Sequence, residues 1–211
     1  MGYDLYVITD ETIGRGLSHA ELARRAVAGG ADAIQLRDKT LSGRDLLRAA
    51  SAVREITQDA GALFIVNDRL DVALASGADG VHLGASDLPV AEVRRLTPPG
   101  FVIGASVGSV AAAVRAAAEG ADYVALSPTF STASKGDAGP GHGLAVLSAV
   151  RAAVSLPLVA IGGITAGNVS GVIAAGADGV AVISAVVGED DVTAAARDLR
   201  SRIAAAKAGR R

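Results

Sequence analysis

The sequence predicts one α/β domain, a (β/α)8 (TIM) barrel over residues 1–211. Three observations carry this. Eight short apolar runs rich in β-branched residues alternate with stretches of helical spacing, the pattern of βαβ units around a parallel sheet. Gly-Ala-Asp recurs at Gly30-Ala31-Asp32, Gly77-Ala78-Asp79, Gly120-Ala121-Asp122 and Gly176-Ala177-Asp178, each copy just before an even-numbered run, so the chain repeats in pairs of units. The 211 residues give about 26 per unit, close to the roughly 200-residue lower limit of such a barrel.

The apolar runs are Asp4–Thr9, Ala33–Leu36, Leu63–Val66, Gly80–Leu83, Phe101–Ala105, Tyr123–Leu126, Leu158–Ile161 and Gly179–Ile183. A strand covered on both faces must be apolar along its length. Helical spacing is read over Ser18–Ala28, Ser42–Ala60, Asp71–Ala75, Ser109–Ala118, Leu144–Ala153, Ala166–Ala174 and Thr193–Ala206. In each Gly-Ala-Asp copy the glycine suits the left-handed residue that ends a helix. The alanine is small enough for the bottom of a barrel, and the aspartate can bind turn amides. This repeat is assigned to stability. The competing architecture, an open doubly wound sheet, would carry a G-x-G-x-x-G loop after its first strand, and none is present. One long irregular stretch, Ser127–Gly143, follows the sixth run and is the expected lid. The terminal AAKAGRR reads as a frayed helix end or a solvated tail.

Composition excludes several functions. Net charge is −2 and aromatics are 3% of the chain, so neither a basic field nor stacking platforms for nucleic acid are present. No cysteine occurs, which removes disulfides, thiolate metal sites and cysteine nucleophiles. No apolar run approaches the roughly 20 residues of a membrane span. The first residues, MGYDLYVITD, already read as a strand. A cytoplasmic protein is expected, acting on small phosphorylated molecules, with no nucleic acid or membrane partner. The sequence leaves room for a homo-oligomer.

In a barrel of this kind the site lies at the carboxyl ends of the strands. The most informative segment is NDRLDVALASGADGVHLGASDLP, Asn67 to Pro89. It contains two strand ends and the helix between them, and brings Asn67, Asp68 and Asp87 toward one pocket. Any one of these carboxylates alone would read as a helix cap. Two of them, with water and substrate phosphate completing the shell, suit Mg²⁺, and the lack of Cys disfavours zinc. His82, inside the fourth run, reads as an interior packing residue. The second run ends Gln35-Leu36-Arg37-Asp38-Lys39. Period-2 alternation would point Gln35, Arg37 and Lys39 the same way, forming an anion site that uses guanidinium and ammonium groups. Ser106 supplies a rim hydroxyl. Thr132, Ala133, Ser134 and Lys135 read as phosphate-binding. Gly163, Ile183 and Ser184, after the seventh and eighth runs, occupy the common barrel phosphate position. Two anion sites and one metal suggest joining a phosphorylated molecule to an activated diphosphate, by electrostatic stabilisation of departing pyrophosphate.

These residues resemble the thiamine phosphate synthase (thiamine-phosphate pyrophosphorylase) family. YVITD, AIQLRDK, VNDRLDVALASGADGVHLGASDLP, GAS, TASK, VAIGGI and VAVIS follow that family's order along nearly the whole chain. The resemblance implies a transferase that condenses hydroxymethylpyrimidine diphosphate with thiazole phosphate, losing pyrophosphate before the thiazole nitrogen attacks. It implies that Gln35, Arg37, Lys39, Asn67, Ser106 and Lys135 contact the pyrimidine diphosphate, and that Asp68 and Asp87 hold Mg²⁺. Arg37, Lys39, Ser106 and Lys135 would be its catalytic groups. Thr132, Ala133, Ser134, Gly163, Ile183 and Ser184 would hold the thiazole phosphate. The loop departs from the family's usual GP-x-F-P-T-x-T-K at Ser127, Ser131 and Ser134. His142, in the unusual GDAGPGHG segment, has no assigned role. The alternatives are a thiazole tautomerase of the same fold and a non-catalytic phosphate-ligand binder, neither of which needs a leaving-group metal.

Overall fold

In the computed structural model, which describes residues 2–132 and 139–210, eight parallel strands close into a barrel in chain order. They are β1 (Leu5–Thr9), β2 (Ala33–Leu36), β3 (Leu63–Asn67), β4 (Gly80–Leu83), β5 (Val102–Val107), β6 (Tyr123–Leu126), β7 (Leu158–Ile161) and β8 (Gly179–Val182). Around them lie α1 (His19–Ala28), α2 (Gly43–Ala60), α3 (Leu70–Ala75), α4 (Val90–Leu96), α5 (Val110–Ala118), α6 (Gly143–Ala153), α7 (Val169–Ala174), α8 (Ser184–Val187) and α9 (Val192–Ala208). The expected architecture is present, and every strand is buried apart from Asn67 and Ser106 at the ends of β3 and β5. Among the described residues no helix is long and apolar enough to cross a membrane.

The helices start where short polar side chains can stop them. Ser18, Ser42 and Ser109 lie just outside α1, α2 and α5, and each hydroxyl accepts the amide of the residue three positions on, satisfying one of the helix's orphan donors. The core face of α2 is Leu46, Ala50, Val53 and Thr57, the three-to-four spacing of one helical stripe. Two helices, α4 and α8, lie beyond those read from spacing. They span seven and four residues, after the fourth and eighth strands.

The Gly-Ala-Asp repeat builds the bottom of the barrel. Gly30, Gly77, Gly120 and Gly176 all have positive φ, from 66° to 113°, which glycine adopts without the Cβ penalty. Each following aspartate exchanges two hydrogen bonds with the first residues of the strand before it. The carboxylates of Asp32, Asp79, Asp122 and Asp178 accept the amides of Leu5, Phe64, Ile103 and Leu158 at 2.7–2.9 Å. Their own amides donate to the carbonyls of the same four residues. An arginine closes each unit: Arg200, Arg54, Arg94 and Arg151 respectively. Four equivalent clamps thus tie odd strands to even ones on the face opposite the site.

The C-terminus follows the helix-end reading rather than the solvated-tail one. Helix α9 continues to Ala208, with the Lys207 ammonium 2.5 Å from Asp4 and Arg210 donating to the Ala177 carbonyl. These contacts at the barrel bottom hold residues whose composition alone reads as solvated.

Candidate active site

Two adjoining cavities open at the carboxyl ends of the strands and share Ser127 and Pro128 as a wall. The larger, about 860 Å³, is lined by Arg37, Lys39, Asn67, Asp68, His82, Asp87, Ser106 and His142, with the Gly84–Ser86 turn and Gly139–Gly141. The smaller, about 70 Å³, is lined by Thr132, Gly162, Gly163, Ile164, Thr165, Ile183 and Ser184 among others. The residues expected at each anion site therefore converge as two groups. Ala133, Ser134 and Lys135 lie outside the described residues. Gln35 lines neither cavity. It is buried in the barrel interior, where its amide nitrogen donates to the Tyr6 hydroxyl at 2.8 Å. Strand β2 stops at Leu36, so Arg37 and Lys39 reach the cavity from a loop rather than from a continuing strand.

The acidic pair is made by two different turns. Strand β3 ends at Asn67, and Asp68 takes the left-handed conformation, φ 62°, which Asp tolerates better than most residues. Its amide is tied to the His82 carbonyl of neighbouring β4 at 2.9 Å. Past β4, the Gly84 amide donates to the Asp87 carboxylate at 2.7 Å, and the Asp87 amide returns to the Gly84 carbonyl. The two carboxyl groups then face each other, close enough for a protonated Asp68 to donate to Asp87. Burial, followed by that hydrogen bond and the Asp87 charge, raises Asp68 to about 6, against the opposing pull of Lys39 and Arg37.

Two carboxylates that raise one another's pKa in this way are relieved by a proton or a cation between them. Among the described residues no group of three or more His, Cys, Asp or Glu side chains could hold a metal. A two-carboxylate pair instead fits Mg²⁺, which takes one or two carboxylates and fills its shell with water and phosphate oxygens.

One of the two cations is positioned by a neighbouring acid. Arg37 lies 3.4 Å from Asp10, with both side chains largely covered. Asp38, between Arg37 and Lys39, turns away from the cavity. Its carboxylate accepts the Thr40 and Leu41 amides and the Thr40 hydroxyl at 2.7–2.8 Å, and faces the buried His19. Burial opposes its ionisation, but these donors hold it down to about 2. Asp38 is therefore a cap that frees Arg37 and Lys39 to face the cavity.

The wall between the cavities depends on two glycines. Gly162 and Gly163 have φ 99° and 63°. A Cβ on Gly162 would meet Pro128 at 2.7 Å, and one on Gly163 the Ser131 carbonyl oxygen at 2.6 Å. Only bare backbone lets the loop after β6 rest against the one after β7.

Two histidines line the larger cavity that were not assigned there from sequence. His82 is interior and packed, as expected, its ring stacked 5.5 Å from that of Tyr123, but it also lines the cavity. Its Nδ1 is 2.9 Å from the Tyr123 hydroxyl and its Nε2 is 2.9 Å from the Ser106 hydroxyl. Its neighbours in the chain, Val81 and Leu83, are apolar, and the partners come from other strands. His142 precedes α6, with Nε2 3.3 Å from the Ser127 carbonyl. The unusual GDAGPGHG segment was the available signal.

The model of the thiamine monophosphate synthase family matches residues 5–186. The chain is 83% identical over 208 residues to a thiamine-phosphate synthase of Methanoculleus marisnigri, covering 99% of both chains. It is 64% identical over 207 residues to that of Methanoregula boonei, covering 98% of this chain and 96% of the relative. Its structure is similar to a thiamine phosphate pyrophosphorylase from Pyrococcus furiosus, with a TM-score of 0.90 at 41% identity, covering 97% and 96% of the two chains. With a matching family model, relatives alike over their full length and the same barrel in a solved structure, the chain belongs to the thiamine monophosphate synthase family.

Proposed function

We propose that this protein is a thiamine-phosphate synthase acting in the cytoplasm. It would condense 4-amino-2-methyl-5-hydroxymethylpyrimidine diphosphate with thiazole phosphate, giving thiamine phosphate and pyrophosphate. The observation that carries the reading is the pair of adjoining cavities. One combines Arg37, Lys39, Asp68 and Asp87, and the other is lined by Gly163, Ile183 and Ser184. A diphosphate and a monophosphate, each in its own cavity, would meet across Ser127 and Pro128. The full-length likeness to relatives named thiamine-phosphate synthase supports the same reaction.

The residues have distinct tasks in this reaction. Asp68 and Asp87 would hold Mg²⁺, which when bound neutralises charge on the diphosphate oxygens. Arg37 and Lys39 offer fixed positive charge to the leaving pyrophosphate, and Lys135 is assigned the same task. Such charge is worth most where negative charge develops as the carbon–oxygen bond breaks. The electron pair of that bond leaves with pyrophosphate, and the thiazole nitrogen supplies the pair for the new carbon–nitrogen bond. Asn67 and Ser106 would orient the pyrimidine. Thr132, Ala133 and Ser134, with the amides after β7 and β8, would hold the thiazole phosphate.

The test is pyrophosphate release by the purified protein given both substrates, with and without Mg²⁺. Release that needs both substrates and the metal supports the synthase. A folded protein that releases none is not a synthase. A tautomerase of the same fold would turn over the thiazole alone and be indifferent to chelation, and it would have no use for the paired carboxylates.

A further inference from the structure

We infer that Tyr6 and Tyr123 are positioning residues of the active site. They are the middle of a one-way hydrogen-bond chain that crosses the barrel interior and fixes Ser106 as a donor into the larger cavity. The substrate this donor meets rests on the synthase reading; the chain itself does not.

Four successive contacts make the chain. The Gln35 amide nitrogen lies 2.8 Å from the Tyr6 hydroxyl, and that hydroxyl lies 3.1 Å from the hydroxyl of Tyr123. Tyr123 lies 2.9 Å from His82 Nδ1, and His82 Nε2 lies 2.9 Å from the Ser106 hydroxyl. The first four residues are at most 5% exposed. They come from β2, β1, β6 and β4, and Ser106 from β5, so the chain joins strands on opposite sides of the barrel. Room for it is built in. Gly104 pairs with Tyr123 across β5 and β6, and any Cβ there would overlap the tyrosine ring.

Counting protons gives the chain its direction. The Gln35 amide nitrogen can only donate, so Tyr6 accepts from it. Burial raises both tyrosines well above their ordinary range, so each keeps its single proton. Tyr6 then donates to Tyr123, and Tyr123 donates to His82 Nδ1. The imidazole proton is thereby fixed on Nε2 and goes to the Ser106 oxygen. The hydroxyl proton of Ser106 is left to point out of the chain, into the cavity. A donor fixed in this way favours a substrate ring nitrogen carrying a lone pair and rejects a ring N–H at the same place.

The experiment combines a tautomer measurement with a double-mutant cycle. In protein labelled with ¹⁵N-histidine, the His82 resonances, assigned by their loss in His82→Asn, should show the proton on Nε2. Tyr123→Phe should abolish that fixed tautomer. In turnover, Tyr123→Phe and Ser106→Ala should each lower kcat/KM about tenfold, the scale of one lost hydrogen bond. The double variant should be no worse than Ser106→Ala, because Tyr123 acts through that hydroxyl. Tyr6→Phe, one link further from the cavity, should reproduce both results and serves if Tyr123→Phe does not fold. A proton on Nδ1, or losses that multiply to about a hundredfold, would overturn the inference. The tautomer measurement needs no turnover, so an inactive wild-type protein would refute the synthase reading and leave the chain to be judged by spectroscopy.

Discussion

Magnesium should compete with a proton at the Asp68–Asp87 pair. Asp68 is raised from 3.8 to about 6, first by burial and then by the hydrogen bond and charge of Asp87. A metal bound by both carboxylates requires Asp68 ionised. With a midpoint near 6, about nine-tenths of the metal-free protein is ready at pH 7 and about one-tenth at pH 5. The apparent dissociation constant should therefore rise about tenfold between those values and change little above pH 7. Titration calorimetry at constant ionic strength measures this. Repeating it in buffers of different ionisation enthalpy should show nearly one proton released per metal at pH 5 and almost none at pH 8. Stability should follow with the opposite sign to a paired carboxylate. The folded value lies above the unfolded one, so between about pH 4 and 6 the native state holds the extra proton. Metal-free stability should fall as pH rises through that window, by about 1–2 kcal/mol once the partial exposure of Asp68 is allowed for. Metal affinity that stays constant from pH 5 to 7 would refute the shared proton.

Three further outcomes follow from the geometry. Asp87→Ala should remove metal-dependent pyrophosphate release while the far-ultraviolet spectrum is retained and stability falls only about 1 kcal/mol, since the lost structural bond is the cap on the Gly84 amide. Asp178→Ala, which strips an acceptor from the Leu158 amide and a partner from Arg151, should destabilise by about 2–4 kcal/mol in urea titration. Its kcat/KM per folded molecule should be unchanged, because the clamp lies on the face away from the cavities. Gly104→Ala should cost about 2 kcal/mol or more in the same assay, as overpacking against Tyr123, and should also lower kcat by displacing the ring that orients His82.

The segment Asn67 to Pro89 shows what the chain could reveal before folding. Its apolar runs end abruptly in acids, and strand ends with acids can be seen in one dimension. The hydrogen bond between those acids could not, because it needs the left-handed Asp68 and the tight turn at Gly84. His82 marks the limit more sharply. Flanked by Val81 and Leu83, it reads locally as packing, and its partners stand 24 and 41 residues away. Gln35 erred the other way. Period-2 alternation would point it the same way as Arg37 and Lys39 in a continuing strand, but the strand stops at Leu36 and leaves the glutamine in the interior.

The sequence by itself determined the eightfold alternation, the four Gly-Ala-Asp turns, the end of the barrel that carries the site and most residues on its rim. These depend on hydrophobic period and turn chemistry, which act between neighbours along the chain. Only the tertiary structure decided which carboxylates face each other, which acid holds Arg37, and how five side chains from β1, β2, β4, β5 and β6 join across the interior. Barrel closure brings residues far apart in sequence to within 3 Å or so, and hydrogen-bond chemistry at that range leaves no periodic trace.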